Sequence, residues 1–303
     1  MIPPPRNILV SYHYYRKYDL DKLAGLRIIG DSGAYSARMQ NLEITNDELA
    51  VWITRWRHRL CWAACMDVAG DTLRTRRNWQ VLVDKGIPAV SSIHVGTPPS
   101  EMDWYAERGV DFLGLGGLAG GTSSPSTQIR WLVSVFRYAR DNHPGMRFHG
   151  WGLMDKRALQ LPFYSVDSSG WSSGYRYGRM TLRDPRTGKV HNIAMNGRDT
   201  YAPEVATMLR DCYGVNPSEL ATSGPHNRHL MVKLSALSAS VYEQQFQRRH
   251  RNSNITRPVW GQFTPSIPAA HLAAAPKEAS PLLHLAEGSS EHLEVVRRMS
   301  CAD

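Results

Sequence analysis

The chain has 303 residues, 42% hydrophobic and 21% charged, enough apolar material for one large packed domain or two small ones. No stretch reaches the ~20 consecutive apolar residues of a membrane helix. The N-terminal MIPPPRNILV lacks the apolar region of a secretory leader, so a cytoplasmic protein with no membrane partner is expected. The net charge is +9, and residues 1–245 carry +7 of it, with 29 Lys+Arg against 22 Asp+Glu. A basic body rather than a basic tail points to a polyanionic partner, nucleic acid first.

In chain order, short apolar runs alternate with amphipathic segments. Strands are expected at Asn7–Ser11, Leu26–Gly30, Cys61–Met66, Ile87–Ile93, Phe112–Gly116, Arg147–Trp151 and Phe163–Val166, with another at His191–Met195. Each is short, apolar and bounded by turn residues, as buried parallel strands are. Thr45 and Glu48 form a capping box, and Leu49, Ile53, Trp56 and Leu60 make one apolar face behind it. Asp71 caps a helix that Gly86 stops, and Ser100 opens one that Gly109 closes. Ser124-Pro125 starts a third, with Ile129, Leu132, Val133 and Phe136 as its buried stripe. Residues 178–190, GRMTLRDPRTGKV, read as a hairpin insertion turning at Asp184-Pro185.

Seven or eight such units within residues 1–250 predict an α/β protein, a (β/α)8 TIM barrel, whose usual size is about 250 residues. A doubly wound sheet is the alternative, weakened by the lack of a Gly-x-Gly-x-x-Gly turn after the first strand. Residues 251–303 turn rich in Pro, Ala and Ser and are expected to be a disordered, mobile tail with a short helix near Glu291–Met299 and no chemistry. The cysteines Cys61, Cys65, Cys212 and Cys301 have no zinc-site spacing. Cys61 and Cys65 read as core residues.

Barrel chemistry sits at the C-terminal ends of strands. Those ends carry Asp31, Asp67, His94, the Gly116-Gly117 turn, His149 and Asp167. Alone, each has an ordinary explanation, such as a cap, a turn or a packed histidine. Together they put three carboxylates, two histidines and a glycine turn at one mouth. Paired carboxylates suit glycosidic-bond chemistry, one attacking the anomeric carbon and the other moving the proton. A third can accept from the N–H groups of a base. His94, His149 and Asp167 as metal ligands of a hydrolase are a competing assignment, although a His-x-His pair is missing after the first strand.

Several of these segments resemble the tRNA-guanine transglycosylases. DSGAYS resembles that family's DSGGFQ, LGLGGLAGG its IGGLAVGE, HGWG its MGVG, and YSVDSSGW its nucleophile segment FDCV; HNRHLMVKLSALSASVY resembles its barrel-closing helix. The compact chain and VDSSGW are most similar to the phage DNA-deazaguanine transglycosylases. The resemblance implies a fold without the zinc subdomain and an enzyme, a pentosyl-type glycosyltransferase. It implies exchange of guanine in DNA for a free 7-deazaguanine base of the preQ0 type, with no cofactor and no metal. Asp167 then matches the nucleophile and Asp31 the general acid/base. Asp67 matches the reader of the guanine edge. Ser32, His94 and the Gly116, Gly117 and Leu118 turn would contact the base, Tyr35 would stack on it, and His149 would stand opposite Tyr35. Missing from the family pattern are its Cys-x-Cys-x-x-Cys…His zinc ligands and the glutamate where Gly121 stands, which favours DNA over tRNA. A flipped guanine would be the substrate, with Tyr175, Arg176 and Arg179 expected on phosphate. Arg55, Arg57, Arg59, Arg74, Arg76 and Arg77 read as solvated helix faces. The alternatives are a tRNA substrate and an inert nucleic-acid-binding subunit. Oligomeric state stays open, a homodimer among the options.

Overall fold

Strand β1 (Asn7–Ser11) is the fully buried run NILVS. It is followed by β2 (Arg27–Asp31), β3 (Leu60–Ala64), β4 (Ala89–Val90), β5 (Ser92–His94), β6 (Phe112–Gly116), β7 (Arg147–Gly150) and β8 (Ser165–Ser168). These strands and β11 (Leu282–Leu285) form one sheet in the order β4-β3-β2-β1-β11-β8-β7-β6-β5, parallel throughout. The computed structural model describes residues 2–119, 123–153, 157, 160–194, 198–220, 225–250, 282–285 and 290–300.

The two ends of the sheet are one piece of chain. Only Ser91 separates β4 from β5, and its carbonyl accepts from the Gly114 N–H at 2.7 Å while Val90 O accepts from the Cys65 N–H at 2.9 Å. The sheet therefore curls into a nearly closed, TIM-like (β/α)8 barrel, with β4 and β5 sharing one strand position. Helices α1 (Tyr12–Tyr15), α2 (Ala34–Met39), α3 (Asn46–Trp56), α4 (Thr72–Asp84), α5 (Glu101–Ala106) and α6 (Pro125–Asn142) follow successive strands. The Thr45–Glu48 capping box and the Asp71 and Ser124 caps form as expected. In α6 the buried face is rotated from the expected stripe: Trp131, Leu132, Val135 and Ala139 are buried, while Val133 is 39% exposed.

Side chains alternate along each strand. Ile8, Val10 and Ile28 face the helices in the main core, whereas Leu9, Ile29, Trp62, Val90, Phe112 and Tyr164 form a separate cluster on the enclosed face. Trp62 of β3 meets Phe112 of β6 with ring centroids 5.3 Å apart, although those strands are not sheet neighbours. The contact crosses the interior, so the barrel is filled rather than hollow.

Two expectations need correction. The strand expected at His191–Met195 exists as β10 (Val190–Ala194), but it pairs antiparallel with β9 (Arg179–Arg183) in the hairpin and lies outside the barrel. The eighth barrel position is filled by β11, from the segment expected to be a tail, between β1 and β8. Four residues, LLHL, are too short to show a period, and a parallel strand takes its bonds from partners distant in sequence. The division into a 1–250 barrel and a 251–303 tail is therefore replaced by a barrel that needs both parts. Helix α10 (Ser290–Ser300) coincides with the expected short helix. Residues 251–281 lie outside the described residues.

Between β8 and β11 come α7 (Ser173–Tyr177), the hairpin, α8 (Pro203–Tyr213) and α9 (Pro225–His250). Helix α9 is apolar on two faces. Val232, Ala236, Tyr242 and Phe246 join the barrel core, and Met231, Leu234 and Leu237 join a second core with the hairpin and α8.

Ending the chain at His250 removes β11 and leaves the facing edges of β1 and β8 unpaired. This truncation is expected to abolish a cooperative thermal transition followed by circular dichroism. In the full chain Leu285, 1% exposed, is the milder probe: Leu285→Ala should lower stability by about 2–5 kcal/mol in urea melts.

Candidate active site

At the C-terminal ends of the strands lies a cleft of about 1350 Å³. Asp31, Tyr35, Asp67, His94, Gly116, Gly117 and Asp167 all line it, so seven of the residues singled out in the sequence converge. Asp31 ends β2, His94 ends β5, Gly116 ends β6 and Asp167 lies in β8; Asp67 follows β3 by three residues.

The turn after β2 is set by Gly33, at φ +73°, where a Cβ would stand 2.5 Å from His13 Cβ. Its N–H donates to Asp31 Oδ2 at 2.9 Å, so the sharp exit also aims the carboxylate. Ser32 accepts from the Ala34 N–H at 3.3 Å and is buried behind the wall. Leu118 likewise packs into the main core. Neither side chain lines the cleft; this departs from the base contact expected of Ser32, while the contact expected of Leu118 is one through its backbone. Asp67 is tied to His94 by a 2.6 Å contact between Oδ2 and Nε2. Gly121 lies outside the described residues.

Asp167 is 6% exposed, at the edge of the cleft. Its Oδ1 accepts from the Gly152 N–H at 2.8 Å and meets His149 Nε2 at 3.2 Å. His149 Nδ1 in turn meets Ser165 Oγ at 2.7 Å. A carboxylate only accepts, so the consistent assignment puts the proton on Nε2 and has the Ser165 hydroxyl donate to Nδ1. Burial pushes the Asp167 carboxyl up to about 7 against the lowering effect of the Gly152 N–H, and pushes His149 down to about 3. Desolvation penalises both charged forms, so the contact is a hydrogen bond from neutral imidazole rather than an ion pair. Ser165, His149 and Asp167 have the order of a hydrolase triad, but Ser165 and His149 are both 0% exposed. The chain orients Asp167; it does not expose a serine nucleophile.

His149 is thereby corrected. It was expected to stand across a bound base from Tyr35. Instead it lies inside the barrel, with ring centroids 4.2 Å from Trp151, 5.1 Å from Trp62 and 6.0 Å from His284, and cannot stack on a ligand. Nor do His94, His149 and Asp167 form one ligand set, since His94 pairs with Asp67. Among the described residues no cluster of three or more His, Cys, Asp or Glu is placed to hold a metal ion.

Tyr175, Arg176 and Arg179 do not line the cleft. Tyr175 packs against His292 of α10 at 4.5 Å, Arg176 donates to Ser169 O and Ser172 Oγ, and Arg179 is exposed at the start of β9.

Sequence reasoning missed Ser165 and Gly152. Ser165 was detectable, because it sits two residues before Asp167 on one strand and so shares its face. Gly152 stands in the quoted HGWG segment, at φ +65° with Ala119 Cβ 2.6 Å from where its own Cβ would be. Its role as a donor needs the fold. His284, in register with Asp167, had no sequence signal.

A carboxyl raised from 3.8 to about 7 on folding stays protonated in the native state where the unfolded chain has lost its proton. Its effect on stability is therefore neutral below pH ~4 and increasingly unfavourable up to pH ~7, by at most about 4 kcal/mol at ~1.4 kcal/mol per unit. Asp167→Asn is expected to raise the urea midpoint at pH 8 and to leave it nearly unchanged at pH 4. Compared with models of known protein families and with curated proteins, the chain matches none, so site geometry rather than kinship carries the functional reading.

Proposed function

We propose that this chain is a base-exchange transglycosylase that replaces guanine in DNA with a preQ0-type 7-deazaguanine. The observation that carries this reading is the convergence of Asp31, Asp67 and Asp167 on one cleft at the strand ends, each in a different environment. Different environments give carboxylates different roles.

Asp167 suits the nucleophile. Both of its hydrogen bonds fall on Oδ1, leaving Oδ2 to attack C1′ of the flipped nucleotide. A C1′–O bond forms, the C1′–N9 bond breaks, and the departing guanine takes a proton. Asp31, half-buried at the cleft wall, suits the group that delivers it and then removes a proton from the incoming base. Reversal of the first step restores a glycosidic bond and frees Asp167. Asp67 has one oxygen occupied by His94, and its other oxygen suits the N–H edge of guanine. Gly116 and Gly117 let the backbone approach the base closely. Tyr35, 57% exposed on α2, offers a ring for stacking. The basic body of the chain suits a nucleic acid.

The first test is a denaturing gel of protein incubated with guanine-containing DNA and no incoming base. Wild type should give a covalent adduct and Asp167→Ala none; an unchanged adduct in the variant refutes the nucleophile assignment. The rate of adduct formation should rise with pH and level off above about pH 7, as Asp167 ionises. Guanine incorporation measured in parallel on DNA and tRNA decides the substrate, and exchange into tRNA alone would replace the DNA assignment.

A further inference from the structure

The cleft is larger than a base requires, and its charge is divided. Its volume, about 1350 Å³, exceeds the roughly 300–1,000 Å³ of typical small-ligand sites. Asp31, Asp67 and Asp167 occupy the strand ends, where a phosphodiester would be repelled. Arg38 of α2 and Arg74 of α4 line the same cleft from the β2–β3 side. Both are exposed. A second arginine of α4 is engaged: Arg76 holds Glu101 at 2.6 Å.

Exposed apolar side chains accompany the two cations. Tyr35 is 57% and Leu42 51% exposed and both line the cleft, and the Arg38 guanidinium lies 5.9 Å from the Tyr35 ring centroid. Cations interleaved with an aromatic ring along a groove is the pattern that holds single nucleic-acid strands, with phosphates on arginine and bases on flat or apolar faces. The wall also carries a directed polar group. Met66 O accepts from Asn78 Nδ2, and Asn78 Oδ1 accepts from Asn46 Nδ2, both at 3.0 Å. That order leaves Asn46 Oδ1 as an acceptor, buried with no hydrogen-bond partner.

We infer that the DNA strand flanking the reacting nucleotide runs over the β2–β3 side of the mouth. Its phosphates sit on Arg38 and Arg74, and a neighbouring base sits against Leu42, beyond the Tyr35 ring that stacks on the reacting base. This deepens the proposed function and rests on it, and it moves the backbone contact away from Arg176 and Arg179, which lie outside the cleft.

The test is fluorescence anisotropy with a labelled single-stranded DNA of about 12 nucleotides containing one guanine, within the site sizes such grooves cover. Wild type, Arg38→Ala, Arg74→Ala, the double variant and an Arg176→Ala/Arg179→Ala control are titrated between about 50 and 200 mM salt. Each lost phosphate contact should flatten the slope of log K against log salt by about 0.7. Each single variant should bind roughly 3- to 10-fold more weakly, and the control should bind like wild type. Unchanged affinity and slope in the double variant would overturn the inference, as would a control that loses the binding instead. The adduct gel is run on the same preparations. Adducts from wild type alongside an unaffected double variant leave the transglycosylase reading standing and remove only the strand path. A wild type that neither binds nor forms adducts removes both.

Discussion

Closure of the barrel by β11 is the constraint on which the rest depends. Each parallel strand must satisfy its backbone groups on both edges, and β8, the strand of Asp167, lies between β7 and β11. On one edge of β8 Ser165 pairs with His149 of β7, and on the other Asp167 pairs with His284 of β11. The depth of the carboxylate, the imidazole beneath it and the ring packing of Trp62 against both histidines all follow from that closure. Without β11 the interior beside Asp167 would be open to water, and the desolvation that raises its pKa would be lost.

That desolvation sets the chemistry available. A buried carboxyl with one oxygen held by a backbone N–H and a neutral imidazole is costly to ionise but well aimed. Its environment contrasts with that of Asp31, fastened to a turn, and of Asp67, tied to a histidine. Sites of this kind spend stability for function. The Ser165–His149 pair shows why a triad must be judged by exposure as well as geometry. With no solvent path to the serine, the same three residue types become a support rather than a nucleophile system.

Charge is sorted along the barrel axis. At the N-terminal end of the strands Arg147 is buried against Asp111, a structural pair before β6 and at the start of β7. At the C-terminal end acidic groups dominate the cleft, and the arginines stand back on α2 and α4. A net charge of +9 gives no hint of this partition. It counts cations without placing them; the fold decides which arginines are already committed to carbonyls and carboxylates.

Much of the molecule was legible in the sequence because the signals were local. Seven apolar runs, the capping box at Thr45 and the turn at Asp31–Gly33 follow from backbone sterics and short-range hydrogen bonds, and they were enough for the barrel class and for the strand-end positions of Asp31, Asp67, His94 and Asp167. His149 was found but misassigned, because period alone does not say whether an inward residue points up to the mouth or lies beneath it. The eighth strand was missed because LLHL acquires strand character only between β1 and β8, and the hairpin strand β10 imitated it with an equally apolar run. By itself, then, the sequence determined which residues carry reactive groups and at which ends of which strands they fall. Tertiary structure decided which carboxylate is desolvated and which arginines face the cleft, because burial and free charge depend on neighbours on other elements, such as Gly152 and His149 for Asp167 and Glu101 for Arg76.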